Sequence, residues 1–491
     1  MKGRVTIFSI TGCPFCVRAK TKLRDELNLE FVDINLDRHP ERRQEAMERS
    51  GKRTVPQIFF NNIHVGGFDD LDKLSADKME ELIKEIKEHS PPPEAPQPPP
   101  PEPSEDTGSP NADDDVSFTC EMDEYAELVK AIRESGLVKD HKAGFLKTYR
   151  NSFIGREVVD WLVSTRQIER EKAIQMCKQI VERRFGHSVE GEEVEFKDDA
   201  SVYRFLEDDE SNALNAGLGS LCEPRPAPEV GEELRHLILQ LYNKHLSPDG
   251  KGVDYTAMGQ STQFQDYVKH TAELQRVNLE TASREGKLAF FINIYNALVI
   301  HATVTKGPPV NLWQRYKFFN TVSYIIGGHV YCLNDIENGV LRSNRRAIGA
   351  IRRPFSKKDP RLKIALDQPE PKVHFALVCG AKSCPPIKTY SAKGVDEELN
   401  VAAEAFLEGE DGCRINMIKR EIRLSKIFQW YKEDFGSSNA EVARFVSRHM
   451  AEGEKKSQLD ELLHRKDFKE ANPAMCGLRH GTTRTKTLIN K

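Results

Sequence analysis

The hydrophobic pattern of this chain changes period from segment to segment, and the changes mark its organisation. Near the start, Val5-Thr6-Ile7-Phe8 and Phe31-Val32-Asp33-Ile34 read as strands, with a helix over Phe15 to Leu27 between them. A charged helix near Pro40 to Arg49 follows. Val55 to Phe60 and Ile63 to Val65 then predict a hairpin turning at Asn61-Asn62, and Gly66-Gly67 leads into an amphipathic helix over Leu71 to Ile86. Further on, Tyr125, Leu128, Val129 and Ile132 fall on one helical face. The run Leu288 to Val304 is the longest apolar segment, but it contains Asn293, Asn296 and His301, so it reads as a buried helix and not a membrane span. A helix is expected over Leu234 to His245, a strand over Val373 to Val378, and a charged, weakly amphipathic stretch after about residue 450.

Breaks in composition divide these patterns. Between Ser90 and Ser117 there are ten prolines and seven acidic residues with no Lys or Arg, the composition of a semi-rigid, extended tether. A second break, Asp208 to Glu229, carries Gly217, Gly219, Pro224, Pro226 and Pro228. The division predicted is 1–89, a tether 90–117, 118–208, a linker 209–229, 230–450, and a charged tail 451–491 whose end, Arg479 to Lys491, has four basic residues and no acid. With 491 residues, several domains are expected. A net charge of -4 argues against a chain-wide nucleic-acid role. Ten cysteines are too sparse and irregular for a secreted disulfide framework, and no signal-peptide pattern precedes the first strand, so a reducing, cytoplasmic setting is expected.

The chemistry concentrates at Cys13-Pro14-Phe15-Cys16. Two thiols at a strand-to-helix junction place the first sulfur where free amides and the helix dipole favour a thiolate, and the second where it can close a disulfide. Half a zinc site is the alternative, but no second pair follows at zinc-finger spacing. Together with Thr54-Val55-Pro56 and Gly66-Gly67-Phe68-Asp69-Asp70, the pair resembles the dithiol glutaredoxins. That resemblance implies an α/β thioredoxin-like fold, Cys13 as nucleophile, Cys16 as resolving thiol, a cis peptide before Pro56, and glutathione as cofactor. Val55 would pair with its cysteinyl unit, Gly67, Phe68, Asp69 and Asp70 would hold its γ-glutamyl end, and Phe15, Thr54, Pro56 and Gln57 would line the cleft. Many glutaredoxins carry Lys where this chain has Ile10; Arg18 and Lys20 are the candidates to replace it. Asp69 and Asp70 also suit the first turn of a helix, and a thioredoxin-fold adaptor without turnover is the alternative for the domain.

The stretch Thr148 to Leu162, with Phe185-Gly186-His187-Ser188-Val189 and Val202-Tyr203-Arg204-Phe205, resembles DEP domains. The resemblance implies a mainly helical, winged-helix-like α+β module with a β-hairpin arm, docking to membrane surfaces or receptor tails in intracellular signalling. Arg166, Arg170, Lys172, Lys178, Arg183 and Arg184 are candidates to meet anionic headgroups; Glu169, Glu171 and Glu182 favour a solvated face instead. Cys177 reads as a buried small hydrophobe.

Phe291 to Leu298, Leu333-Asn334-Asp335-Ile336-Glu337, and His374-Phe375-Ala376-Leu377 running into Cys379-Gly380-Ala381-Lys382-Ser383-Cys384-Pro385-Pro386 resemble domain of unknown function 547, a mixed α/β or α+β region. The family name carries no activity. From the residues, Cys384 as nucleophile and His374 as base would suit acyl chemistry, with Cys379, Asn293 and Asn296 nearby. A metal site using Cys379, Cys384, His374 and a remote Cys332 or Cys413 is a second reading, and packing groups a third. Arg342 to Lys363 holds nine basic residues and the single acid Asp359, a candidate for phosphate or membrane contact or an exposed loop.

The favoured function is glutathione-dependent thiol-disulfide exchange on disulfide-containing or glutathionylated proteins, targeted by the DEP-like module, with peripheral membrane attachment. A redox-sensing scaffold and a C-terminal Cys/His hydrolase are the alternatives.

Overall fold

The computed structural model describes residues 1–99, 120–143, 147–189, 195–249, 252–378 and 390–464. In the N-terminal domain, β1 (Val5–Ser9), α1 (Pro14–Thr21), β2 (Phe31–Asn35), α2 (Arg43–Ser50), β3 (Gln57–Phe60), β4 (Ile63–Gly66), α3 (Phe68–Asp72) and α4 (Ala76–Glu88) follow in order. The sheet order is β2-β1-β3-β4, with β1 parallel to β2 from Val5↔Phe31 to Ser9↔Asn35 and antiparallel to β3. Successive side chains of a strand point to opposite faces. Val5, Ile7, Ile58 and Phe60 therefore pack against Ala19, Leu82 and Ile86. Phe8 and Phe59 pack on the other face with Ile34, Ala46 and the two cysteines. The expected single helix over Leu71 to Ile86 is two, because Ser75 adopts an extended conformation and its Oγ accepts the Lys78 N–H at 3.3 Å, starting α4 afresh.

The middle domain contains α5 (Ala126–Glu134), β5 (Lys139–Ala143), β6 (Lys147–Ile154), α6 (Gly155–Arg166), α7 (Arg170–Glu182), β7 (Gly186–Ser188) and β8 (Val202–Phe205). Its antiparallel sheet runs β5-β6-β8-β7. The three helices close over Phe153, Tyr203 and Phe205 with Leu128, Ile132, Leu162 and Ile180. At the turn from β6 into α6, a Cβ on Gly155 would stand 2.4 Å from the Lys197 carbonyl oxygen, so the position takes no side chain. Cys177 is buried in this core and its thiol is pushed up to about 12 by burial.

Residues 209–226 form a packed strap. Asn215 is fully buried, donating from Nδ2 to the carbonyls of Thr271 (3.0 Å) and Ile325 (2.9 Å) and accepting the Ile325 N–H at 2.8 Å. Cys222 is disulfide-bonded to Cys120, closing a loop across 102 positions; the spacing of the ten cysteines gave no sign of this pairing. Beside it, Arg276 is buried and ion-paired with the equally buried Asp123. The Arg276 guanidinium also donates to the carbonyls of Arg183 (2.8 Å), Ser220 (3.2 Å) and Cys222 (2.7 Å), and lies 3.6 Å from the Phe185 ring centroid.

The C-terminal region comprises α8 (Ala227–Lys244), α9 (Tyr255–Gln260), α10 (Thr262–His270), α11 (Arg284–Lys306), α12 (Leu312–Thr321), the hairpin β9 (Ser323–Ile326) and β10 (His329–Cys332), α13 (Val395–Glu408), the hairpin β11 (Cys413–Asn416) and β12 (Glu421–Leu424), and α14 (Ile427–Trp430), α15 (Lys432–Phe435), α16 (Asn439–Arg448) and α17 (Glu454–His464). α11 is long and apolar enough to span a membrane, yet 78% of its apolar window is buried; it is the core helix of the larger of two hydrophobic clusters. The smaller cluster gathers Phe375, Phe406, Phe428, Phe435 and Phe445, with Leu459 and Leu462 from α17.

The strand expected over Val373 to Val378 is not formed. Pro371–Phe375 is a 3₁₀ turn, started by Glu370, whose side chain accepts the Lys372 N–H. Proline cannot donate to a ladder, and the backbone just beyond is taken by a side chain: Asn296 Nδ2 donates to the Ala376 carbonyl at 3.1 Å and its Oδ1 accepts the Val378 N–H at 2.9 Å.

Because removing one partner of a buried ion pair leaves an uncompensated charge, Arg276→Leu is expected to lower stability by about 3–5 kcal/mol. Urea unfolding of the full chain checks this, with the Cys120–Cys222 bond kept intact in both proteins.

Candidate active site

β1 ends at Ser9, and the loop that follows is fixed from below. The Thr11 N–H donates to Asp37 Oδ2 at 2.9 Å, and Asn35 Nδ2 donates to Thr11 Oγ1 at 3.2 Å. Gly12 has φ +72°, in the left-handed region, and a Cβ there would stand 3.3 Å from Leu239 of α8. This turn delivers Cys13 to the N-cap of α1 with Pro14 in the first turn, where the absent N–H costs nothing. Cys13 Sγ accepts the Cys16 N–H at 3.1 Å.

Both thiols are buried, each 1% exposed. For Cys13, burial works against ionisation, but hydrogen bonds from the Cys16 thiol and amide, the charge of Lys20 and the Phe15 amide prevail, and its thiol is held below the usual value. Cys16 is pushed well above it by burial, by its hydrogen bond to Cys13 and by the Cys13 charge. The two thiols are thus pushed in opposite directions, Cys13 towards the thiolate and Cys16 towards the neutral thiol. Lys20 supplies the cation that Ile10 does not. Its Nζ is anchored by Asp33 Oδ2 at 2.5 Å and Ser9 Oγ at 3.0 Å. Arg18 is used differently, its guanidinium lying 4.0 Å from the Phe68 ring centroid and 5.7 Å from that of Phe15.

The other expected residues border this turn unequally. Phe15 is 40% exposed, Thr54 and Val55 are half-buried, and the Val55–Pro56 peptide is cis. Gln57 is buried and braces the loop: Nε2 donates to the Thr54 carbonyl at 2.8 Å and Oε1 meets His64 Nε2 at 2.7 Å. Its side chain supports the cleft from behind. Phe68 is buried, while Asp69 and Asp70 are exposed at the start of α3. Asp70 Oδ2 accepts the Gly67 N–H at 2.8 Å, and Lys52 Nζ stands 3.4 Å away. Burial opposes the Asp70 charge, but the Gly67 amide and Lys52 hold its carboxyl below the usual range.

The turn thus places a buried thiol held below its usual value at a helix start, three positions before a second buried thiol. The glutaredoxin family model matches residues 5–65. A glutaredoxin of Pseudomonas aeruginosa is 41% identical over 80 residues, 16% of this chain and 94% of that protein. Glutaredoxin 3 of Escherichia coli K12 is 42% identical over 74 residues, 15% of this chain and 88% of the relative. The chain belongs to the glutaredoxin family through its N-terminal domain. The solution structure of glutaredoxin from Brucella melitensis is 42% identical, covering 18% of this chain and 90% of that one at a TM-score of 0.16. Downstream, the domain found in Dishevelled, Egl-10, and Pleckstrin matches 137–205, and the protein of unknown function model DUF547 matches 279–407. This glutaredoxin is therefore one domain of a chain that carries two further modules.

The C-terminal candidates separate on inspection. Cys379 and Cys384 lie outside the described residues. Asn293 and Asn296 both project from α11 onto the two ends of that segment: Asn296 holds residues 376 and 378, and Asn293 Nδ2 donates to the Tyr390 carbonyl at 2.7 Å while Oδ1 accepts the Tyr390 N–H at 3.3 Å. His374 is buried with Nε2 2.7 Å from Asp434 Oδ2, its ring stacked 3.8 Å from Tyr431. Asp434 also accepts from Arg342 Nε (2.5 Å) and Arg345 Nη1 (2.6 Å). Burial opposes its charge, but His374 and Arg342 hold its carboxyl far below the usual range. Tyr431 donates to Glu337 at 2.7 Å. The sequence reading missed Asp434 as the partner of His374, and missed Arg342 and Glu337, which join the same network through Asp434 and Tyr431. Cys332 and Cys413 are buried with thiols pushed up by burial, to about 12 and about 11. Among the described residues, no three His, Cys, Asp or Glu side chains stand close enough to hold a metal ion.

Removing the Lys20 cation destabilises the Cys13 thiolate. Lys20→Gln is expected to move the midpoint of iodoacetamide reactivity of Cys13 to higher pH, and to lower its reactivity at pH 7. A pH series of alkylation rates on both proteins checks the direction.

Proposed function

We propose that the N-terminal domain reduces protein–glutathione mixed disulfides and protein disulfides at the expense of glutathione. The observation that carries this is the division of labour between the two thiols, Cys13 below and Cys16 above the usual thiol value. Cys13 thiolate attacks one sulfur of the substrate disulfide, forming a mixed disulfide and releasing the other sulfur as thiolate. With a glutathionylated protein, Cys13 takes the glutathionyl sulfur, and a second glutathione thiolate displaces it as glutathione disulfide. With a protein disulfide, Cys16 attacks the mixed disulfide, leaving a Cys13–Cys16 disulfide that two glutathiones reduce. The residues around the cleft suit that tripeptide. It carries two carboxylates and one ammonium, and here Arg18 and Lys52 flank Phe68 and Asp70 while Asp69 is exposed between them.

The middle domain serves docking to a membrane surface or a receptor tail, and the chain works in the cytoplasm. Part of the domain's cationic face is already paired. Arg170 pairs with Asp160 and Asp198, Lys178 with Glu195, and Arg183 with Glu124 and Glu223.

A second reading, a redox-sensing scaffold, is favoured by the burial of Cys13 and the approach of Leu239 to Gly12. Turnover of a small glutathione mixed disulfide in the presence of glutathione and a recycling reductase separates the two. The oxidoreductase reading expects activity in the full chain, a loss of at least about 100-fold in Cys13→Ser, and retained activity in Cys16→Ser on glutathionylated substrates but not on protein disulfides. A wild-type chain without turnover would leave the scaffold.

A further inference from the structure

A cluster of exposed large apolar side chains lies far from the thiols in sequence. Val310, Leu312, Trp313 and Tyr316 are 70%, 74%, 72% and 63% exposed, on or just before α12. The segment is not a loose end. Asn311 caps the helix, its Oδ1 accepting the Gln314 N–H at 2.8 Å, and Gln314 Oε1 returns to accept the Val310 N–H at 3.0 Å. Trp313 and Tyr316 stack on each other at 6.0 Å, and Phe318 roots the helix in the core from its other side. The fold thus holds a short helix with its aromatic face turned outward, at the cost of leaving about the most hydrophobic side chains it has in water.

Along the chain, the charge near this face has one sign. Between Glu285 and Asp335 there is no acidic residue, while Lys306, Arg315 and Lys317 border the apolar positions. α12 packs against β10, and the same strand anchors a second element of similar character, since the Phe355 ring meets Tyr331 at 6.3 Å. The loop 346–358 leading past Phe355 carries Ile348 and Ile351, 54% and 87% exposed, among five cations and no acid. The three remaining arginines of that basic run are used internally, Arg342 and Arg345 on Asp434 and Arg361 on Asp335 and Asp359.

We propose that the C-terminal domain docks on an anionic bilayer surface through the exposed face of α12, with the loop 346–358 as a second cationic contact. Trp and Tyr rings favour the headgroup zone, where one edge is apolar and the other wet, and Lys and Arg stems extend along apolar surface while their heads reach lipid phosphates and carboxylates. Local stretches of sequence that carry cations and no acid match the negative potential of such a surface. This docking is independent of the thiol chemistry and of the middle domain.

The test is co-sedimentation of the full chain with vesicles of phosphatidylcholine alone, or of phosphatidylcholine with about 30% phosphatidylserine. The expected result is binding to the anionic vesicles that is at least about tenfold weaker on neutral ones and falls on raising salt to about 0.5 M. The double variant Leu312→Ser, Trp313→Ser should lose at least about tenfold, and Arg352→Gln, Arg353→Gln several-fold, with unchanged thermal unfolding, because these side chains are exposed. Absence of wild-type binding to the anionic vesicles would overturn the proposal. So would undiminished binding in the double variant, which would place attachment on another domain. A concentration-dependent dimer that the double variant abolishes, without vesicle binding, would assign the face to a second copy of the chain.

Discussion

A sulfur buried to 1% exposure whose thiol is still held below its usual value depends on one constraint, the start of α1. Burial alone drives a thiol towards its neutral form, and three other buried cysteines of this chain, Cys177, Cys332 and Cys413, follow that rule. Cys13 departs from it because its position at the N-cap brings the Cys16 amide to its sulfur at 3.1 Å and lies within reach of the Lys20 charge. The preceding turn, with Gly12 in the left-handed region and Thr11 tied to Asp37, sets that position. Moving the helix start by one residue would remove the hydrogen bond and return Cys13 to the behaviour of the other three.

The modules downstream are joined by polar contacts as well as by the chain. Arg276 gathers Asp123, the strap at Ser220 and Cys222, and Phe185 around one buried guanidinium, beside the Cys120–Cys222 bond. A charge satisfied from three directions is costly to separate, so the middle domain and the C-terminal region are held in one arrangement. Towards the N-terminal domain the contacts are more exposed, with Arg53 paired to Glu397 and Thr21 donating to the Pro248 carbonyl at 3.0 Å. In the C-terminal region, Asn293 and Asn296 on α11 serve as backbone clamps, and His374 is a member of a buried network with Asp434, Arg342 and Tyr431.

Where the sequence was read correctly, local chemistry decided the outcome. The β1-α1-β2 alternation, the hairpin at Asn61-Asn62 and the family resemblances each rest on residues close together in the chain. Long-range pairing was not visible in the same way. Nothing near Cys120 or Cys222 points to a partner 102 positions away. Asp434 reads as one acid in a charged stretch until the fold brings it to His374, 60 positions away. The strand expected over Val373 to Val378 had the right hydrophobicity, but apolar runs of that length do not distinguish strands from buried turns, and Pro371 with the Asn296 clamp decided against it. Buried amides on an apolar helix need partners, and the structure supplies them in the backbone at residues 376, 378 and 390.

The central claim is that Cys13, activated at the start of α1, is the attacking sulfur. Its most direct measurement is peptide mapping by mass spectrometry of the full-length Cys16→Ser protein after exposure to glutathione disulfide, read without reductant. The account predicts a single glutathionyl adduct at Cys13, formed faster at pH 7 than on an ordinary thiol. An unmodified Cys13, or an adduct carried first by another cysteine, would contradict it.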